Sequence, residues 1–223
     1  VITDQDVELA ARFCIINTPS GIDGDSFGDM SYLLAVAREE NPELPIELRV
    51  CGYGGGFNET FGIVELIRAD GNVDGVAFGI IMSAHVAIWA ACARRWLSVT
   101  AGIGIHRVAL TYDNGNSTNF SEASSVVKRL AIMDSLYAET LSGASTGSKE
   151  WWLQIMNEAG NELSVIERPA LLAMEMARPY EEYGVSDPSA GVEFTPAPFV
   201  MTDEQFQRWL RNNVAESKSA RLG

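Results

Sequence analysis

The stretch Gly79-Ile-Ile-Met-Ser83-Ala-His85-Val-Ala-Ile-Trp-Ala-Ala-Cys92 decides how the rest of the chain is read. It is a long apolar run with a serine and a histidine in its middle, led in by a glycine and closed by Ala-Arg-Arg. Burying an unpaired hydroxyl and imidazole costs on the order of 1–3 kcal/mol each, so both side chains need partners. The chain has 2 histidines, and both stand near this serine in sequence: His85, and His106 in Gly104-Ile-His106-Arg-Val. A satisfied core serine and a core histidine form the competing reading. Gly79, Ser83 and His85 interrupt the run from Val76 to Ala93, and Asp74 and Arg94 hug its ends. It therefore reads as a strand followed by a buried helix and not as a membrane span.

Working outward, 223 residues fit one large domain, or one domain with an appendage, and suffice for a sizeable core. With 47% apolar and 21% charged residues the composition is that of an ordinary globular protein. The net charge of −14 argues against a nucleic-acid partner, because a phosphate-binding face needs a basic surplus, and against an anionic membrane surface. The 3 cysteines, Cys14, Cys51 and Cys92, are odd in number and lie in apolar contexts, so a reducing, cytoplasmic setting fits better than a disulfide framework. No signal peptide is visible and the first residue is not Met, which fits a processed or trimmed product.

Along the chain, Arg12 to Asn17 reads as a buried strand closed by Thr18-Pro19-Ser20-Gly21. Phe27 to Glu40 carries Met30, Leu33, Leu34 and Ala37 at helical spacing. Ile46 to Cys51 alternates as a strand and runs into the glycine turn Gly52-Tyr-Gly54-Gly55-Gly56-Phe57, after which Asn58 is expected to cap a helix. Val73 to Phe78 is a third strand opening into the helix of Ser83. Strands over Trp96–Thr100 and Ile103–Val108 follow, the second carrying His106 near its end. This alternation predicts an α/β domain with βαβ crossovers. After a polar loop at 112–119 come a long helix over about 121–141, with the stripe Val126, Leu130, Met133 and Tyr137, and a helix from Ser148 to Gly160. Arg168 to Glu182 also reads as helical, with Pro169 in its first turn. Beyond Pro188 the composition shifts to that of a linker, followed by a short amphipathic helix that opens on Thr202-Asp-Glu-Gln205.

The glycine turn fails as a nucleotide fingerprint: Phe57 stands where G-x-G-x-x-G needs its last glycine, and no Gly-Lys-Ser/Thr follows. No Cys, His, Asp or Glu cluster has metal-ligand spacing. What remains is a glycine turn after a strand, a serine at a strand-to-helix turn and a histidine on a later strand. Strand ends of one polarity lie side by side in an α/β sheet, so these three can converge. A serine nucleophile needs a base within reach and backbone N–H donors for an oxyanion, and glycine lets a backbone approach a substrate closely.

The chain resembles the Clp-type serine peptidases, the ClpP-like proteolytic subunits with a crotonase-like α/β fold, over about residues 12 to 187. Glu40-Asn-Pro-Glu-Leu-Pro-Ile-Glu-Leu-Arg-Val50 is similar to the family's Glu-Asn-Pro-Glu segment and the strand after it. Gly54-Gly55 falls at the family's Pro-Gly-Gly turn, and Gly79-Ile-Ile-Met-Ser83-Ala84 at its Gly-x-Ala-Ala-Ser-Met turn. Ile105-His106-Arg107 matches Ile-His-Gln, and Glu182-Tyr-Gly-Val-Ser-Asp187 resembles Glu-Tyr-Gly-Leu-Val-Asp. The resemblance implies a spiral of βαβ units with a protruding helical handle at about 120–165, a peptidase domain over 1–187, and a C-terminal linker and helix over 188–223. It implies Ser83 as nucleophile, His106 as base, and Gly55 and Ala84 as oxyanion donors, with His85 a helix neighbour and not a catalytic group.

The sequence departs from the family in three places. Cys51-Gly-Tyr-Gly-Gly-Gly replaces Asn-Ser-Pro-Gly-Gly, so the turn loses its proline and is expected to be less preorganised. Ile80, Ile81 and Met82 are bulkier than the family's residues and are expected to reshape the substrate groove. The acid that would orient His106 does not fall at its expected spacing; the candidates are Glu158, Asn161, Glu162 and Glu167, with Glu162 favoured by the apolar segment Leu163-Ser-Val-Ile166 after it. The implied function is an ATP-dependent-type serine endopeptidase working through an acyl-enzyme, without metal or organic cofactor. It would act on peptides or proteins inside a homo-oligomer of stacked heptameric rings served by an AAA+ unfoldase. A catalytically inactive structural subunit, a phage-type maturation protease acting on virion proteins and an acyl-CoA enzyme of the crotonase type are the alternatives.

Overall fold

The computed structural model describes residues 2–109, 120–160 and 162–183. The chain opens with helix α1 (Asp4–Phe13), where a strand was expected to begin at Arg12. Its start is fixed by a capping box: the Thr3 hydroxyl accepts the Asp6 N–H while an Asp6 carboxylate oxygen accepts the Thr3 N–H. Cys14, at φ 53°, turns the chain into β1 (Ile15–Asn17). Then follow α2 (Ser26–Glu40), β2 (Ile46–Val50), α3 (Phe57–Asp70) and β3 (Val73–Ala77). The helix after the glycine turn is capped by Gly56 and not by Asn58: the chain enters it straight from the turn, and the Gly56 carbonyl accepts both the N–H and the hydroxyl of Thr60.

The focal run is divided more finely than the sequence suggests. Gly79, at φ 65°, bends the chain out of β3 into β4 (Ile80–Met82), and Ser83 then opens α4 (Ala84–Ala90). Every residue of α4 is buried, which explains its apolar character on all sides. No helix among the described residues is long and apolar enough to cross a membrane. Next come β5 (Arg94–Leu97), β6 (Gly102–Ile105), α5 (Phe120–Gly143), α6 (Lys149–Ala159), β7 (Ser164–Glu167), α7 (Arg168–Ala173) and β8 (Arg178–Pro179). The helix expected over Arg168–Glu182 stops early because Glu175 adopts φ 54° and Met176 turns into the core. Arg178 and Pro179 then pair with β5, and a single 3₁₀ turn, Tyr180–Glu182, closes the described chain. The polar loop at 112–119, Asn161, the motif from Gly184 onward and the C-terminal linker and helix lie outside the described residues.

The strands form two sheets. The larger is parallel, in the order β1-β2-β3-β5-β8; the smaller has β4 parallel to β6 and β6 antiparallel to β7. One continuous core fills the space between helices and sheets, with Ile46, Leu48, Val73, Val76, Trp89 and Trp152 wholly buried. Parallel strands flanked by helices are buried on both faces, as β3 is, and its one charged residue, Asp74, is paired with Arg94.

Arg38, at the C-terminal end of α2, ties three segments together. Its guanidinium donates to both carboxylate oxygens of Asp70 at 2.6 Å and to the carbonyls of Leu44 at 2.5 Å and Asn72 at 3.1 Å. Burial alone would push the Asp70 carboxyl up, but the Arg38 hydrogen bonds, the Asn72 N–H and the Arg38 charge together outweigh it and hold the carboxyl below its ordinary range. Replacing Arg38 by Ala is expected to lower stability by about 1–3 kcal/mol in urea unfolding, because it strands a half-buried carboxylate and two carbonyls. Replacing Arg12, whose pair with Glu8 is exposed, should cost under about 0.5 kcal/mol.

Candidate active site

The C-terminal ends of β2 and β4 and the end of β6 meet at one cleft of about 450 Å3. Gly55, Ser83, Ala84 and His106 all line it, together with Phe57, Phe61, Met133 and Tyr137. The structure thus brings four of the five sequence-predicted site residues to a single wall.

Ser83 is the corner between β4 and α4. Its backbone lies at φ 51° and ψ −119°, a conformation that costs a non-glycine residue on the order of 1–3 kcal/mol. Three hydrogen bonds hold it there. The Ser83 N–H donates to the Gly104 carbonyl at 2.8 Å, while the Ser83 carbonyl accepts the Val86 N–H and the Tyr137 hydroxyl, both at 2.9 Å. Burial pushes the Tyr137 hydroxyl above its ordinary pKa, so it stays protonated and donates.

The glycine turn packs directly on this corner. A side-chain carbon added at Gly54 would stand 2.6 Å from the Ser83 Cβ, and one at Gly55 only 2.0 Å from the Ile22 carbonyl oxygen. Both glycines also have positive φ, 107° and 149°. Tyr53 N–H donates to Ser20 O, Gly54 N–H to the His85 ring and Gly56 N–H to Ile22 O. Among the described residues the Gly55 and Ala84 N–H groups have no such acceptor.

His106 follows the last residue of β6 and is half-buried at the cleft. Its Nδ1 lies 2.5 Å from the Arg107 carbonyl oxygen. A carbonyl only accepts, so Nδ1 carries a proton, and in the neutral ring the lone pair is then on Nε2. The residues after it are clamped from α5. Asp134, 3% exposed, accepts from the Arg107 guanidinium at 2.8 and 2.9 Å and from the Val108 N–H at 2.8 Å. Ser83 and His106 share the cleft without a hydrogen bond between them.

The candidate acids fall elsewhere. β6 and β7 pair antiparallel with Ile105 opposite Ser164, so continuing the register sets Leu163 opposite His106 and Glu162 one residue further. Glu162 is exposed, and its N–H donates to the Ala159 carbonyl. Glu158 is bonded by the Gln154 amide, and Glu167 pairs with Gly102 at the far end of β6. No carboxylate among the described residues hydrogen-bonds His106.

Three residues of this site escaped the sequence reading. Asp134 had no local signal, Tyr137 read as part of a core stripe, and His85 read as a helix neighbour. His85 is fully buried, with Nε2 2.7 Å from the Pro19 carbonyl and Nδ1 accepting the Gly54 N–H at 2.9 Å. Burial pushes its pKa below the ordinary histidine value, and the Pro19 carbonyl opposes that only in part. The unfolded chain therefore takes up this proton first, so the contribution of His85 to stability is complete above about pH 6.5 and is lost as the pH falls. Urea midpoints are expected to drop between pH 7.5 and 5.5, and to drop less when His85 is replaced by Asn.

No known family profile matches the sequence, and no curated protein matches it by sequence. Among solved structures, the chain is similar to a point mutant of ClpP1 from Listeria monocytogenes. The two share 16% identity at a TM-score of 0.64, covering 80% of this chain and 95% of that one. At that identity the likeness concerns the fold, which is ClpP-like.

Proposed function

We propose that the chain is a serine endopeptidase subunit of the Clp type. The observation that carries this reading is Ser83. It is held in a left-handed corner at a cleft shared with a histidine and with two N–H groups that lack acceptors among the described residues. In this reading Ser83 Oγ attacks a peptide carbonyl and His106 Nε2 takes its proton. The Gly55 and Ala84 N–H groups receive the oxyanion. His106 then returns the proton to the leaving amine, and water hydrolyses the acyl-enzyme by the same route. The Arg107 carbonyl fixes the imidazole tautomer through Nδ1 in place of a carboxylate, since Glu162, the acid the sequence favours, is exposed and falls opposite Arg107 in the continued register. Phe57, Phe61 and Met133 suit an apolar substrate side chain. The working form is a homo-oligomer of stacked heptameric rings with α5 and α6 in the handle, in the cytoplasm, fed by an AAA+ unfoldase.

The second reading is a catalytically silent subunit of such an assembly. It is favoured by the missing Ser83–His106 hydrogen bond and by the absence of a carboxylate on His106 among the described residues. Against it, hydrogen bonds of this kind are often long in a free enzyme and tighten only with substrate.

Labelling with a fluorophosphonate decides between them. Wild type is expected to label, Ser83→Ala not at all, and His106→Ala at least about 100-fold more slowly. Wild type labelling no faster than Ser83→Ala would leave the silent subunit as the reading. A monomer by native mass spectrometry at micromolar concentration would remove the chamber from either one.

A further inference from the structure

The glycine turn lacks a proline, yet hydrogen bonds hold most of its backbone groups. The Gly52 carbonyl accepts the Met82 N–H at 3.0 Å and the Gly54 carbonyl accepts the Ile22 N–H at 2.8 Å. The N–H groups of Tyr53, Gly54 and Gly56 are each spent on an acceptor, and Gly55 alone in 53–56 has no acceptor for its N–H among the described residues. One of those acceptors is a side chain, the imidazole of His85, which comes from the helix that Ser83 opens.

We infer that His85 is a positioning residue for the oxyanion donor. Its ring spans from the Pro19 carbonyl to the Gly54 N–H and thereby fixes the peptide before Gly55 relative to Ser83. The two contacts allow only one arrangement. Pro19 offers a carbonyl, so Nε2 must donate; Gly54 offers an N–H, so Nδ1 must accept. Both partners are backbone, so the ring reads the position of two chain segments at once. Gly52 makes room for it, since a side-chain carbon there would lie 2.5 Å from Cε1 and Nε2 of the ring. His85 and Ser83 are two residues apart on one rigid element, so the turn is registered to the nucleophile through a single helical turn. The restraint that a proline would place within the turn is supplied by a side chain of the helix that Ser83 opens.

This inference rests on Gly55 acting as an oxyanion donor, and the test separates the two. Asn and Gln at position 85 are both polar, but the Asn carbonyl falls near the place of Nδ1 and the Gln amide near that of Nε2. His85→Asn is expected to stay within about 5-fold of wild type in labelling rate and active-ester kcat. His85→Gln should lose about 10- to 100-fold in kcat with KM little changed, the pattern of a lost transition-state contact. Amide hydrogen exchange over residues 52–56 should rise at least about 10-fold in His85→Gln and stay near wild type in His85→Asn, with the strands of the core unaffected. This second readout needs no activity. If wild type fails to label but the exchange pattern holds, the peptidase reading falls and the positioning role stands. Equal losses in both variants, or unchanged exchange in His85→Gln, would overturn the inference. Should a variant fold too poorly to assay, nitrogen chemical shifts of the two wild-type histidines give the answer. The inference requires a neutral Nε2–H ring at His85 at pH 7, and an Nδ1–H or charged ring there would sink it.

Discussion

The left-handed corner at Ser83 is the constraint on which the arrangement of the cleft depends. A non-glycine residue at φ 51° and ψ −119° does not persist on its own, because the strain of roughly 1–3 kcal/mol would relax into an ordinary turn. Here the surroundings leave no freedom to relax. The residue before the corner is in β4, paired with β6, and the residues after it are in a helix that is buried along its whole length. The corner's own N–H and carbonyl are bonded to β6 and α5. Straightening Ser83 would break contacts to two other elements, each bond worth about 0.5–1.5 kcal/mol, and would displace a close-packed helix.

The division into two sheets follows from the same corner. If β3 ran straight into α4, Ser83 would lie in the plane of the parallel sheet, away from β6. The bend at Gly79 carries the chain into a second sheet, where β4 lies beside β6 and the serine ends up near the histidine that follows β6. The glycine turn reaches the corner from the first sheet, at the end of β2, and the Met82 N–H to Gly52 carbonyl bond stitches the two sheets together. The cleft is therefore a seam between sheets. Chemistry that needs a donor turn, a nucleophile and a base can draw one from each side and one from the link between them.

Much of this was legible in the sequence, for reasons that also explain what was not. The βαβ order shows because strands buried on both faces are short apolar runs and the turns between them are glycine-rich. Ser83, His106 and the Gly54-Gly55 turn stand out because a polar group in an apolar run, or a glycine cluster after a strand, breaks a pattern; Ala84, and the donor role of Gly55, come only from the family resemblance. Helix α1 was overlooked although Thr3-x-x-Asp6 is a capping pattern, because the apolar burst ending at Ile16 read more strongly as strand. The strand pairing of Arg178–Pro179 could not be read, since two residues carry no period. The bonding of His85 is illegible for a different reason. Its partners are a carbonyl and an N–H of the backbone, which every residue has and no sequence letter records.

Asp134 and Tyr137 show the same limit at longer range, and together they say what sets the distance between serine and histidine. Ser83 and His106 share no hydrogen bond, so their separation is not fixed by a bond between them. Both are instead referred to α5: the Tyr137 hydroxyl holds the Ser83 carbonyl, and Asp134 holds the guanidinium of Arg107 and the N–H of Val108. The two α5 residues are three apart, which puts them on one face about a turn from each other. A helix is stiff over one turn, so the Ser83 corner and the segment that follows His106 are registered to a common ruler. Any shift of α5 along the seam moves both anchors together, and because they share a face a rotation of α5 about its axis also carries them in broadly the same direction. With no hydrogen bond between Ser83 and His106, the packing of α5 on α4 is what makes their spacing a property of the fold.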